Sequence, residues 1–311
     1  MDKFISFAVC TYNRCERLPS LINSMLSQKC SLLYEVLVIN NNSSDNTLAV
    51  LDKLSKQYVG RIRVVTESKQ GIAYARNRAI SEALESDYMV FIDDDEIPQA
   101  GLLASAIKVL ESEKADCVGG RIVVDFAGHE RPLWLTDDLL GFLAEVDYGD
   151  LEFQIVDNTT PVWTANVAYN MQMFKKFPDL RFDIRFNREG NGIGGGEDAI
   201  MFRDMMKYNL QIHYCPDMVT HHFVEDWRLK RRYFLKLHLI AGIRYGQHQM
   251  NTDKDSKSGF PLFLFRLASK QFGKTVVALL KREPNYIRQA MNFTHSVGTI
   301  YGQYLSRRKG N

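Results

Sequence analysis

Through the first third of the chain, short apolar runs alternate with stretches in which apolar residues recur every three or four positions. Residues 4–10 and 35–39 are of the first kind, and Val36-Leu37-Val38-Ile39 is purely aliphatic. Such runs suit strands buried on both faces of a parallel sheet. Between them, residues 16–28 place Leu18, Leu21, Ile22 and Met25 at helical spacing, which completes a βαβ unit. The rhythm repeats with a helix over 46–58 (Leu48, Leu51, Leu54 and Tyr58 on one face), a strand over 62–65, a helix over 71–85 and a strand over 88–92. This alternation predicts an α/β sheet whose ligands lie beyond the carboxyl ends of its strands. A helix over 100–113, a strand over 117–126, a β-rich stretch over 151–168 and a helix over 199–207 follow. From Arg228 onward the chain reads as helical, basic and aromatic.

Composition adds limits. With 311 residues, 45% hydrophobic and 24% charged, the chain has the make-up of a water-soluble globular protein of one large domain or a domain with an appendage. No apolar run approaches the ~20 residues that span a bilayer, and Met1-Asp2-Lys3-Phe4 leads into a strand pattern rather than a signal peptide. The expectation is a cytoplasmic protein. Five cysteines, odd in number and without a Cys-x-x-Cys pair, argue against a disulfide framework or a zinc site. The net charge of +2 conceals a division: residues 228–311 carry 17 Lys and Arg against three acids, a net of +14, which leaves −12 for the remainder. A segment so basic is expected to meet an anionic surface.

Candidate chemistry gathers where strands end. Thr11-Tyr12-Asn13-Arg14 follows the first strand, with a ring to stack on a base and a cation for phosphate. Asn40-Asn41-Asn42-Ser43-Ser44-Asp45 follows the second, a cluster suited to tight turns and hydrogen bonds to a nucleoside. Gly71 opens a helix that carries Arg76. The strand over 88–92 delivers Asp93-Asp94-Asp95-Glu96, closed by Pro98. Adjacent carboxylates need a counter-charge, and a hard divalent cation shared with substrate phosphates is one source. A solvated acidic turn is the other reading of the same triplet.

In order and spacing, these four motifs resemble the nucleotide-binding half of glycosyltransferase family 2, which has the GT-A fold. The resemblance implies that Asp93 lies near the donor ribose, with Asp94 beside it, and that Asp95 is a direct ligand of Mn2+ or Mg2+. It places Thr11, Tyr12, Asn13, Arg14, Asn40, Asn41 and Arg76 around the nucleotide. Gly194-Gly195-Gly196-Glu197-Asp198 resembles the family's Glu-Asp motif, which implies Asp198 as catalytic base and Glu197 toward the acceptor. His222, six residues before Arg228, matches the family's further metal ligand, with His221 as the alternative. Trp163-Thr164-Ala165-Asn166 resembles a Gly-Ala-Asn segment near the sugars, so Trp163 and Asn166 join the acceptor-side residues. Asn40 departs from the usual aspartate, and its amide accepts from a base N–H without charge.

The expected architecture is therefore a GT-A domain over 1–225, divided into a nucleotide-binding half (1–100) and an acceptor half (101–225), with a basic amphipathic helical extension over 226–311. The expected activity is inverting transfer of a sugar from a nucleotide diphosphate donor, UDP-sugar first, to a hydroxyl of a glycan or lipid-linked oligosaccharide. The basic tail would bind the anionic inner face of the cell membrane, pack as helices on the catalytic domain, or form an oligomer interface; no nucleic-acid signature accompanies it. A metal-dependent nucleotidyltransferase and a catalytically silent nucleotide-sugar-binding or scaffold protein are the other readings.

Overall fold

Hydrophobic periodicity and turn residues translate directly into elements in the computed structural model, which describes residues 3–188, 190, 192–250, 260–283 and 286–309. These residues group into two units. The first comprises residues up to Ala127, Leu143–Asn191 and Glu197–Val224; the second comprises Gly128–Phe142, Gly192–Gly196 and Glu225–Asn311. Segments 128–142 and 192–196, expected in the acceptor half, thus group with the C-terminal helices.

The first unit begins with β1 (Phe4–Thr11), α1 (Leu18–Leu26), β2 (Leu33–Asn40), α2 (Thr47–Gln57), β3 (Ile62–Thr66), α3 (Ile72–Glu82) and β4 (Tyr88–Asp93). It continues with β5 (Glu96–Pro98), α4 (Leu102–Ser112), β6 (Cys117–Asp125), β7 (Phe153–Ile155), β8 (Asn166–Asn170), α5 (Gln172–Lys176), α6 (Glu197–Lys207) and β9 (Ile212–Phe223). The strand order is β3-β2-β1-β4-β8-β6-β9-β5, with β7 also on β9. Strands β3, β2, β1 and β4 are mutually parallel, whereas β8 runs antiparallel to β4 and β6.

Both faces of the parallel part are apolar because each is covered by helices. Ile5, Phe7 and Val9 of β1 pack with Leu18, Leu21 and Ile22 of α1 on one side. Ala8 and Cys10 pack with Ala75, Ala79 and Ile80 of α3 on the other. In α2 the buried face is Thr47, Leu51 and Leu54, and Leu48 is 44% exposed. One residue is a rotation of about 100°, enough to carry Leu48 off that face. Strand β1 has β2 on one side and β4 on the other, so successive crossovers leave it in opposite directions. That reversal opens a crevice at the carboxyl ends of β1 and β4, where Thr11 and Asp93 lie.

The second unit contains α7 (Arg231–Arg244), extended by a π-helical turn over Tyr245–Gln249, then α8 (Phe263–Leu280) and α9 (Tyr286–Lys309). Helix α7 buries Tyr233, Phe234 and Gly242. Its backbone touches that of α9: a Cβ on Gly242 would lie 2.1 Å from the His295 carbonyl oxygen, and one on Gly302 2.1 Å from that of Ile243. Gly302→Ala is accordingly expected to destabilise the protein by about 1–3 kcal/mol, the range for overpacked interiors, read as a lowered urea midpoint. Of the stretch expected to be helical, basic and aromatic from Arg228, residues 251–259 lie outside the described residues, and it continues into α8. Among the described residues no helix is long and apolar enough to cross a membrane.

Candidate active site

The acidic triplet lies where β4 turns into β5. Strand β5 pairs antiparallel with β9, with Glu96 opposite His222, and the Phe223 N–H donates to the Asp95 carbonyl at 2.9 Å. This ladder brings Asp95 to His222 across half the chain. The His222 side chain is buried, with Nδ1 2.7 Å from the Leu143 carbonyl oxygen and Nε2 3.3 Å from Asp95 Oδ2. A carbonyl only accepts, so Nδ1 donates to Leu143, and Nε2 is the ring nitrogen that faces Asp95. Strand alternation turns His221 to the opposite face.

A carboxylate oxygen and an imidazole nitrogen at this spacing fit a cation. Adjacent ligands of an octahedral ion with bonds near 2.1 Å lie about 3 Å apart. Among the described residues no group of three or more His, Cys, Asp and Glu forms a closed metal cage. The pair would therefore share its ion with other oxygen ligands.

Arg76 joins the two acidic motifs. Its side chain is 3% exposed; Nη2 donates to Asp93 Oδ1 at 3.0 Å, and Nη1 donates to Glu197 Oε1 at 3.0 Å and Asp198 Oδ1 at 2.8 Å. The guanidinium carbon also lies 5.5 Å from the Phe182 ring centroid. Burial opposes the charge, but Asp198, Asp93 and Glu197 outweigh it and hold Arg76 protonated. Expected at the nucleotide, the guanidinium is instead committed to three carboxylates. Burial, then the charge of Asp198, raises the Glu197 carboxyl above its ordinary range.

Glu197 and Asp198 occupy the first turn of α6, which starts two residues earlier than its pattern suggests. There the helix dipole favours carboxylates. Asp198 Oδ1 accepts from the Thr164 hydroxyl as well as from Arg76, so both bonds fall on one oxygen. Among the described residues no hydrogen bond reaches Oδ2.

The loops at the crevice are stitched to one another by their own amides. Asn13, at φ 53°, accepts at Oδ1 from Ser44 N–H at 2.8 Å. Asn41 Nδ2 donates to the Lys69 carbonyl at 2.7 Å while its Oδ1 accepts from Gly71 N–H at 2.7 Å. The Asn40 Oδ1 accepts from Ser43 N–H at 3.3 Å. The side chains of Asn13, Asn40 and Asn41 therefore shape the nucleotide loops from within. Gly71 adopts φ 135°, and a Cβ there would overlap the Asn187 amide at 1.9 Å.

Thr11 is buried, Tyr12 is partly exposed with its N–H 3.4 Å from Asp94 Oδ2, and Arg14 Nε lies 3.7 Å from Asp94 Oδ1. Burial, then the charge of Asp95, pushes the Asp94 carboxyl up to about 6. Glu96 is buried against the Asp93 N–H at 3.1 Å, and burial, then Asp93 and Asp95, raise it well above the carboxylate range.

Two expected acceptor-side residues are placed in the frame of the site. Asn166 is 1% exposed, and its Nδ2 donates to the carbonyls of Arg121 at 2.9 Å and Met218 at 2.8 Å. Trp163 is half-buried against the core beneath α3 and α6. Thr164, Glu96, Phe182 and Asn187 enter the site without having been singled out. Thr164 stands inside the Trp163 to Asn166 segment and Glu96 closes the acidic run, whereas Phe182 and Asn187 carry no local sequence signal.

The model of glycosyl transferase family 2 matches residues 6–188, more than half of the chain. The chain belongs to that family. The uncharacterized glycosyltransferase YfnE of Bacillus subtilis is 34% identical over 109 residues, which is 35% of this chain and 27% of that protein. The chain thus spans about a quarter of that relative's length. Its fold resembles mannosyltransferase PcManGT from Pyrobaculum calidifontis, solved with GDP-Man and Mn2+, at a TM-score of 0.60 and 17% identity, over 96% of this chain and 87% of that one. It also resembles Staphylococcus aureus TarS 1-349 in complex with UDP, at a TM-score of 0.56 and 18% identity, over 99% and 92%. The fold of the chain is GT-A.

Proposed function

We propose that this glycosyltransferase moves a sugar from a UDP-sugar to a hydroxyl of a glycan or lipid-linked oligosaccharide, with inversion at the anomeric carbon. The observation that carries the reading is Arg76, whose one guanidinium holds Asp93 of the donor-side triplet and Asp198 of the acceptor side. The acceptor hydroxyl attacks the anomeric carbon from the face opposite the diphosphate. A new carbon–oxygen bond forms, the bond to the diphosphate oxygen breaks, and Asp198 Oδ2 takes the hydroxyl proton. Asp93 orients the donor, and Arg14 faces its phosphates from the β1 loop.

Asp95 and His222 would hold a divalent cation, Mn2+ or Mg2+, with phosphate oxygens and water completing the shell. When bound, such an ion supplies positive charge against the departing diphosphate. The residues themselves fix where that charge sits, through the Leu143 carbonyl behind His222. The Mn2+ in the PcManGT complex and the UDP in the TarS complex support the pairing of metal and nucleotide. We further place the enzyme on the cytoplasmic face of a membrane, held by the basic residues of 226–311, where a lipid-linked acceptor is at hand.

The test is Mn2+-dependent release of UDP from a panel of UDP-sugars, and of GDP from GDP-sugars, with candidate acceptors. Transfer that persists in excess chelator counts against the reading. His222→Ala is expected to raise the Mn2+ concentration for half-maximal activity at least roughly 10- to 100-fold, since removing even the group behind a ligand has that effect. A Mn2+ titration of activity measures it.

A further inference from the structure

Helix α8 shows an apolar, basic surface to water. Of its 18 residues only Leu264, Ala268, Thr275 and Ala278 are buried. Phe263, Phe265 and Phe272 are 58%, 49% and 53% exposed, and Leu280 is 80% exposed. Among them stand Arg266, Lys270 and Lys274, with Lys281 and Arg282 at the C-terminal end; residues 260–282 contain no Asp or Glu. Beside that end lies a cleft of about 300 Å³, lined by Leu133, Trp134, Leu279, Arg282 and Tyr286 among others. Leu133 itself is fully exposed.

The neighbouring helices differ. Helix α7 turns Tyr233 and Phe234 inward, and the backbones of α7 and α9 meet at glycines. Trp227, Tyr245, Tyr301 and Tyr304 are exposed elsewhere in the tail, but its exposed phenylalanines and leucines all lie in or beside α8.

Charge decides what covers this face. A second copy meeting it by two-fold symmetry would set the same cations against one another, which opposes association. An anionic bilayer surface attracts every one of them and accepts phenylalanine and leucine at the level of its headgroups. We propose that α8 is the element that seats the enzyme on an anionic membrane, lying flat, with Phe265 and Phe272 inserted and Lys270 and Lys274 reaching lipid phosphates. This rests on the reading above that the tail holds the enzyme at a membrane, and it assigns that contact to one helix.

The experiment is co-sedimentation of the full chain with vesicles of phosphatidylcholine alone or mixed with phosphatidylglycerol. The wild type is expected to bind the mixed vesicles at least about tenfold better. Phe265→Ser/Phe272→Ser and Lys270→Glu/Lys274→Glu should each lose about tenfold or more of that binding. Lys236→Glu/Arg308→Glu, an equal charge reversal on α7 and α9, should lose markedly less. Retained UDP release with a soluble acceptor verifies that each variant is folded. If the wild type binds neither vesicle, the membrane reading itself fails. If it binds and the α8 variants bind equally well, only the assignment to α8 is overturned. A dimer in sedimentation velocity that the phenylalanine variant dissolves, without lipid binding, would make α8 a self-association face instead.

Discussion

Asp198→Asn is expected to lower kcat for sugar transfer by about 100- to 10,000-fold, the contribution of a positioned general base. The substitution is chosen because it changes little else. Asparagine keeps an oxygen for the Thr164 hydroxyl and for Arg76 Nη1, which approach one atom of the aspartate. The first turn of α6 and its packing through Met201 and Phe202 are untouched. What is lost is the ability to take a proton from the attacking hydroxyl. The UDP Kd measured by calorimetry should stay within about threefold of wild type, because the role proposed for Asp198 is on the acceptor hydroxyl and asparagine keeps the oxygen that Arg76 bonds. Glu197→Gln should fall much less in kcat, since Glu197 is more deeply buried and its Oε1 is engaged by Arg76. Full transfer by Asp198→Asn would remove the base from the mechanism.

The contrast between those neighbours illustrates what a sequence carries and what it leaves out. Local patterns determine β1, α1 and β2, because an aliphatic run and a 3.6-residue stripe each bury one way. The crevice between β1 and β4 follows from topology, which alternation of strands and helices already implies. Pairings of distant polar groups do not follow. Arg76 reads as a phosphate ligand on a helix near a nucleotide loop, and nothing nearby in sequence announces that Asp93, Glu197 and Asp198 converge on it. The amides of Asn13 and Asn41 read as nucleoside contacts, and in the fold they bridge one loop to the next. Short polar side chains serve both purposes equally well, so only the positions of their partners distinguish them. In the tail, composition reads as uniformly amphipathic, whereas glycines at 242 and 302 draw α7 onto α9 and the exposed phenylalanines and leucines fall to α8.

Arg76→Met is expected to destabilise the protein by about 3–5 kcal/mol, the effect of removing one partner from a buried ion pair. A Tm lower by roughly 10 °C is the corresponding readout. Methionine fills similar space and keeps contact with Phe182, so the loss would come from charge. Without the guanidinium, Glu197, already above its ordinary protonation range, is left beside Asp198 and close to Asp93 with no cation between them. Lysine is a poor substitute, because one ammonium cannot reach toward Asp93 on one side and Glu197 and Asp198 on the other as two guanidinium nitrogens do. Arg76→Lys should therefore recover part of the stability and little of the kcat. The decisive comparison is a cycle: on a Glu197→Gln/Asp198→Asn background the same Arg76→Met change should cost at least about 1 kcal/mol less, since the carboxylates it would strand are gone. Equal losses on both backgrounds would mean that Arg76 contributes through packing alone, and the electrostatic link between the donor motif and the base would have to be abandoned.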